Sequence, residues 1–202
     1  MAERPARRSA LAAVLHAGDF GTVPASGPGI LLSERRGLAM VQLAADDAAY
    51  AGAAARIQTT LGLELPRQPN RAVVAGARTA LWTGPGRVLL VAAEAERLEE
   101  ALQQALLGVD VAVTPLSHAR SVIRLSGPRV RDLLAKGCGL DFHARAFAPG
   151  SAVQSSYAQI NVLLVALDEA PSVDLYVARG FAVALWEHLL DGALEYGCRV
   201  EG

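Results

Sequence analysis

Few side chains in this sequence stand at the spacings that chemistry requires. Gly84-Pro85-Gly86 has the small residues of a phosphate loop. Such a loop turns backbone N–H groups toward an anion at the start of a helix. Here the glycines lead into the apolar run Val88-Leu89-Leu90-Val91, and Pro85 removes a donor, so a hairpin turn is expected. Ser117-His118 puts a hydroxyl beside an imidazole. Neighbours in an extended chain point to opposite faces, and nothing around the serine reads as a nucleophile elbow. His16, His118, His143 and His188 are scattered, with no metal-ligand spacing to another histidine or a cysteine. Cys138 follows Lys136-Gly137, and a nearby cation can lower a thiol pKa. The same residues fit a helix end, with Gly137 as a left-handed cap, Cys138 packed behind it and Lys136 paired to Asp132 one turn back. Arg120, Arg124, Arg129 and Arg131 form a local basic cluster. At strand spacing Arg120 and Arg124 share a face, which makes them the candidates for an anion site or a subunit contact. Asp132 nearby argues against a polyanion groove. No catalytic, cofactor-binding or metal-binding residue is assigned.

The elements that would position these residues follow from periodicity. Residues 1–28 read as an irregular N-terminal arm, punctuated by Pro5, Gly18, Gly21, Pro24, Gly27 and Pro28. Leu38–Leu43 reads as a strand. A helix capped by Asp46 or Asp47 then runs to about Leu61, with Tyr50, Ala54, Ile57 and Leu61 on one face. Thr79–Trp82 and Val88–Val91 make a hairpin. A second helix spans about Glu94 to Leu107, and Val109–Val113 is a further strand. The order then recurs. Ser121–Leu125 is a strand, and Pro128 suits the first position of a helix that ends at Gly137. Strands around Val153–Leu167 and Val173–Ala178 follow, then a last helix from about Phe181 to Tyr196. Strand–helix–hairpin–helix thus appears twice, as two β-α-β-β-α-β units would require. The expected fold class is α+β: a duplication of ferredoxin-like units over residues 29–116 and 117–202, integrated into one domain.

Composition sets the bounds. The chain has 202 residues, a formal net charge of -1, 52% hydrophobic and 5% aromatic residues. It is long enough for a substantial core. The near-neutral balance does not favour nucleic acid, and few residues are available for stacking. Lys136 is the one lysine among 19 basic residues. Arg4, Arg7 and Arg8 followed by Ala10–Leu15 imitate a secretory signal, but the apolar run stops at His16 without a clear cleavage site. No window approaches a membrane-spanning length. Cys138 and Cys198 read as free thiols of a reducing cytoplasm.

A more specific signal lies in residues 117–154. Leu125-Ser126-Gly127-Pro128-Arg129, Leu133-Leu134-Ala135-Lys136-Gly137-Cys138 and Leu140-Asp141-Phe142-His143, with Phe147, Gly150 and Gln154, resemble the gamma subunit of bacterial heterotetrameric sarcosine oxidase. Thr79–Pro85 and Arg8-Ser9-Ala10-Leu11 are consistent with it, while Ala10 and Gly139 stand where that family often has proline. The resemblance implies a fold like the folate-binding domain of the glycine-cleavage T-protein, an aminomethyltransferase. It implies partners, the alpha, beta and delta subunits, and a complex that demethylates sarcosine to glycine with tetrahydrofolate and oxygen. It implies FAD, FMN, NAD and tetrahydrofolate on the other subunits, and no active site in this chain. The alternatives are a free-standing folate-binding protein of the aminomethyltransferase class, or the equivalent subunit of an N-methylglutamate or dimethylglycine oxidising complex.

Overall fold

The computed structural model describes residues 8–202. Residues 1–7 of the expected arm, with Arg4, Pro5 and Arg7, lie outside the described residues. The elements in chain order begin with β1 (Gly18–Phe20) and β2 (Ile30–Glu34). The first half is β3 (Leu38–Ala44), α1 (Asp47–Leu61), β4 (Ala72–Ala75), β5 (Arg78–Gly84), β6 (Arg87–Ala93), α2 (Leu98–Ala105) and β7 (Ala112–Pro115). The second half is β8 (Arg120–Ser126), α3 (Val130–Gly137), β9 (Ala152–Tyr157), β10 (Ile160–Asp168), β11 (Ser172–Ala178), α4 (Ala182–Ala193) and β12 (Cys198–Glu201).

Two sheets result. The smaller has the order β4-β5-β6-β3-β7, and the larger β1-β12-β2-β8-β11-β10-β9. Both follow the same path once β1 and β2 are set aside: last strand, first strand, then the fourth, third and second of each half. That shared path carries the repeated element order of the sequence into space. The difference is β2. It lies between β12, to which it is parallel, and β8, to which it is antiparallel. A chain segment ahead of the first half therefore completes the sheet of the second, so a division at residue 29 does not follow the hydrogen bonding. The arm is also less irregular than expected. Leu11 is fully buried, and β1 pairs with β12.

The layers are helix, sheet, sheet, helix. Val41, Leu43, Ala80, Val88 and Leu90 of the smaller sheet pack under Ile57 and Leu61 of α1 and Leu98 and Leu102 of α2. Ile123, Leu125, Leu164, Leu175 and Val177 of the larger sheet pack under α3 and α4, around Leu133, Leu185, Trp186 and Leu189. The remaining faces meet each other: Leu38, Met40, Leu81, Leu89 and Val91 against Val122, Ala152, Leu163, Val165 and Tyr176. Strands buried on both faces read as continuous apolar runs rather than alternating ones, which explains Val88–Val91 and Leu163–Ala166. Hydrogen bonds also cross between the halves. Ala72 N–H donates to Gly150 O at 2.8 Å and Ala152 N–H to Asn70 O at 2.9 Å.

Local chemistry sets several boundaries. The Asp46 side chain accepts from Ala49 N–H at 2.8 Å and starts α1. Gly62, at φ 65°, ends it. The expected strand over 153–167 is two strands. Ala158 and Gln159 have φ of 45° and 66°, a tight turn built without the glycine that normally marks one. The strand expected at Val109–Val113 lies a few residues later, at β7. The helix expected over Glu94–Leu107 is a 3-10 turn followed by α2. Pro128 precedes the capping residue Arg129 of α3 rather than opening the helix.

Gly137 differs in its reason for being glycine. It is the last residue of α3, and the cap that follows, Cys138, is extended, so no left-handed backbone is needed. What it needs is space: a Cβ there would lie 2.6 Å from the Tyr157 ring. Tyr157 is buried and its hydroxyl donates to Leu133 O at 3.3 Å. Burial pushes its pKa up from 10.0 to about 12, with the Cys138 and Tyr196 charges adding to the effect.

Two predictions follow from this packing. Gly137→Ala should destabilise the protein by about 1–3 kcal/mol through overpacking on a buried ring. Gly139→Ala, where a Cβ meets nothing within 4 Å, should be close to neutral; urea unfolding of both variants checks the pair. The folded state also holds the Tyr157 proton more tightly than the unfolded chain does. That contribution to stability is complete below pH 10 and is lost as pH rises from 10 through about 12. Unfolding measured across pH 9–12 should show this alkaline loss, and Tyr157→Phe should reduce its steepness.

Candidate functional site

The residues singled out by type resolve into contacts with specific jobs. The Gly84-Pro85-Gly86 turn joins β5 to β6. A Cβ on Gly86 would meet Ala45 O, and Gly86 O accepts from Ala45 N–H at 2.9 Å, so its glycine permits a close backbone approach. Ser117 and His118 lie in a turn rather than a strand. Ser117 Oγ accepts from Met40 N–H at 2.9 Å and so fastens the second half to β3. His16, His118, His143 and His188 are all exposed. Among the described residues no three His, Cys, Asp or Glu side chains cluster as metal ligands. Cys138 and Cys198 are buried and free. Burial raises the Cys198 thiol from 9.0 to about 11, helped by Asp19.

Lys136 does not pair with Asp132. Its ammonium reaches α4 and the turn after it, donating to Gly192 O at 2.8 Å and to Glu195 at 2.7 Å, and lies 4.5 Å from the Tyr196 ring centre. Asp132 pairs instead with Arg129 at 3.0 Å. The Leu140–His143 stretch is a turn: Asp141 Oδ1 accepts from His143 N–H at 2.8 Å. Phe142 is set edge-on to Phe147 at 5.4 Å. Arg131 donates to Phe142 O at 2.6 Å and so braces this turn from α3.

The two candidate arginines part company. Both lie on the face of β8 that looks toward the smaller sheet. Arg124 makes a two-pronged pair with Asp174 directly across on β11, Nε to Oδ1 at 2.7 Å and Nη2 to Oδ2 at 2.8 Å. Asp174 is only 4% exposed, and Arg35 approaches it at 3.6 Å. Burial opposes the charge on Arg124, but the hydrogen bonds and charge of Asp174 outweigh it and hold its pKa above the ordinary arginine value. The carboxylate opposite Arg124 is thus internal, supplied by Asp174 of this chain. Arg120 is half-buried and faces Ala178 across the strand pair; burial lowers its pKa. Asp174 was not singled out in the sequence. Its signal was a lone acid inside the apolar strand Ser172–Ala178, at a position facing an arginine on the neighbouring strand.

The two sheets packed face to face between helix layers make this an α+β protein with the fold of an aminomethyltransferase domain. Aminomethyltransferase T of the glycine cleavage system from Bartonella henselae superposes with a TM-score of 0.64 at 17% identity, over 87% of this chain and 48% of that one. At that identity the likeness is one of fold. A profile described as "Sarcosine oxidase, gamma subunit family" matches residues 44–195, and the chain belongs to that family. It is 40% identical over 111 residues to the sarcosine oxidase subunit gamma of Arthrobacter sp, covering 54% of this chain and 55% of that protein. It is 39% identical over 116 residues to the one from Corynebacterium sp. strain P-1, covering 56% of each. The matched stretch thus spans about half the length of these relatives. A chain of the heterotetrameric sarcosine oxidase from Corynebacterium sp. U-96, solved in complex with pyrrole 2-carboxylate, matches with a TM-score of 0.82 at 30% identity. That match covers 94% of this chain and 96% of that chain.

The Arg124–Asp174 pair yields a prediction. Asp174→Asn leaves the Arg124 charge in a mostly buried place without its counter-ion. Breaking such a pair should cost on the order of 3 kcal/mol, read as a lower urea midpoint with an unchanged slope.

Proposed function

We propose that this chain is the noncatalytic gamma subunit of a heterotetrameric sarcosine oxidase, built to stand beside alpha, beta and delta subunits. The complex oxidatively demethylates sarcosine to glycine. It passes the one-carbon unit to tetrahydrofolate, giving 5,10-methylenetetrahydrofolate, and electrons to oxygen, giving hydrogen peroxide. FAD, FMN, NAD and tetrahydrofolate bind on the other subunits, and the complex works in the cytoplasm. The observation that carries this reading is the near full-length match to a chain of an enzyme described as a heterotetrameric sarcosine oxidase, together with membership of the gamma family. Among the described residues no helix is long and apolar enough to cross a membrane. Residues 29–116 and 117–202 act as one integrated domain in this reading, joined through the apolar seam between the sheets.

Co-expression of the full chain with alpha, beta and delta subunits tests the proposal. A stable complex that retains this chain in equal proportion through gel filtration is the expected result. A chain that elutes alone in their presence overturns it. Titration with tetrahydrofolate separates the main alternative, because tight binding by the chain alone would favour a free-standing folate-binding protein.

A further inference from the structure

The inner face of the larger sheet changes character along its strands. Under the smaller sheet it is apolar, with Val122, Ala152, Leu163 and Tyr176 buried there. Two residues further along the same face stand Arg120 on β8, Gln154 on β9, Asn161 on β10 and Ala178 on β11. At this end a cavity of about 580 Å³ opens, floored by these residues and walled by Thr83 at the end of β5. Its size falls within the range of small-molecule sites.

The cavity holds one positive charge, Arg120, and no acidic side chain lines it. Among the described residues the Arg120 guanidinium has no hydrogen bond or ion pair, although it is half-buried. Its neighbour on the same face shows what is missing. Arg124 meets the carboxylate of Asp174 across the strand pair, whereas Arg120 meets the methyl of Ala178. Burial disfavours the Arg120 charge and nothing nearby offsets it. Polar groups wait around it. The Thr83 hydroxyl is buried without a partner, and Gln154 is held in place by donating to Thr83 O at 2.8 Å. On the other side of Arg120 lies a second cavity, of about 200 Å³, lined by Arg8 and Arg179 as well. Arg179 donates to Arg8 O at 2.8 Å, and neither guanidinium pairs with a described carboxylate. Glu34 and Glu94 line this second cavity too, so five guanidinium groups face two carboxylates there, and the balance of charge beside Arg120 is positive.

We propose that this cavity binds a small carboxylate, which takes the place opposite Arg120 that Asp174 takes opposite Arg124. The planar guanidinium fork matches a carboxylate in two parallel hydrogen bonds. Asn161, exposed on the cavity floor, then bonds the polar remainder of the ligand. One uncommitted guanidinium among neutral amides and hydroxyls suits a single negative charge, so a monocarboxylate is preferred over inorganic phosphate. The site stands independently of the assignment of the chain to an oxidase complex, because every group in it belongs to this chain.

The test uses the full chain labelled with 15N-arginine, titrated with acetate, lactate and inorganic phosphate at constant ionic strength. The Arg120 Nε–H resonance is assigned by its loss in Arg120→Gln. Expected is a saturable shift of that resonance with acetate and lactate, weaker by at least several-fold with phosphate, while the exposed Arg97 and Arg199 signals stay in place. Lactate should also raise the melting temperature of the parent protein and leave that of Arg120→Gln unchanged. Without ligand, Arg120→Gln should melt at or above the parent, since it removes an uncompensated charge. A shift that rises linearly without saturation, equal shifts at all arginines, tighter binding of phosphate, or a lower melting temperature for ligand-free Arg120→Gln would each overturn the proposal.

Discussion

Each sheet in this protein has to hide two faces, and it does so with a helix layer on one side and the other sheet on the other. The seam between the sheets is the constraint from which the rest follows. It requires strands that are apolar at successive positions, as in Val88–Val91 and Leu163–Ala166, where alternate residues face the helices and the other sheet. An excess of apolar residues in a modest chain invites the reading that some of it is meant for a partner's surface. The structure assigns it inward: among the described residues the large hydrophobics left exposed are Val74, Leu107, Phe181 and Leu194. Membership in a multi-subunit family therefore does not rest on a greasy exterior.

Much of the architecture was legible because periodicity and punctuation survive without tertiary context. Asp46, Gly62 and the Gly84–Gly86 turn announce their elements through side-chain and backbone chemistry that is local. The doubled element order was readable for the same reason. What escaped was set by the partner rather than by the residue. The turn at Ala158-Gln159 carries no turn-forming residue, since the pairing of β9 with β10 imposes its backbone. Gly137 looked like a cap and is instead a gap left for the Tyr157 ring, from a strand that follows it by a long loop. The entry of β2 into the larger sheet has no sequence mark at all.

The basic cluster teaches the same lesson about function. Four arginines close together in sequence suggested one electrostatic feature. In space they do four different things: Arg124 neutralises a buried acid, Arg129 lies 4.9 Å from the Tyr196 ring centre, Arg131 braces a turn, and Arg120 is uncommitted. Sequence proximity placed the charges correctly, but only the neighbours across the sheet say which of them is already spent. The family resemblance was carried by stretches such as Leu140–His143 whose role here is to shape a turn. Motif recognition and site recognition thus drew on different residues.

The place of β2 has a consequence for how the chain is made. During synthesis Ile30–Glu34 emerges long before β8, and longer still before β12, the two strands between which it lies. The smaller sheet can pair from neighbouring segments as they appear, whereas β2 has no strand partner until β8 emerges and none on its other edge until β12. Its final contacts close a loop that spans most of the polypeptide, and such long-range pairings form slowly. Until then the strand has an open edge able to pair with the wrong chain. Ser33 and Glu34 sit at its end, and Ser9 donates to Glu34 at 2.7 Å, so the side-chain partner at that end precedes the strand in the chain while its backbone partners follow it. The order of assembly, as well as the finished packing, is written into where one short strand was inserted.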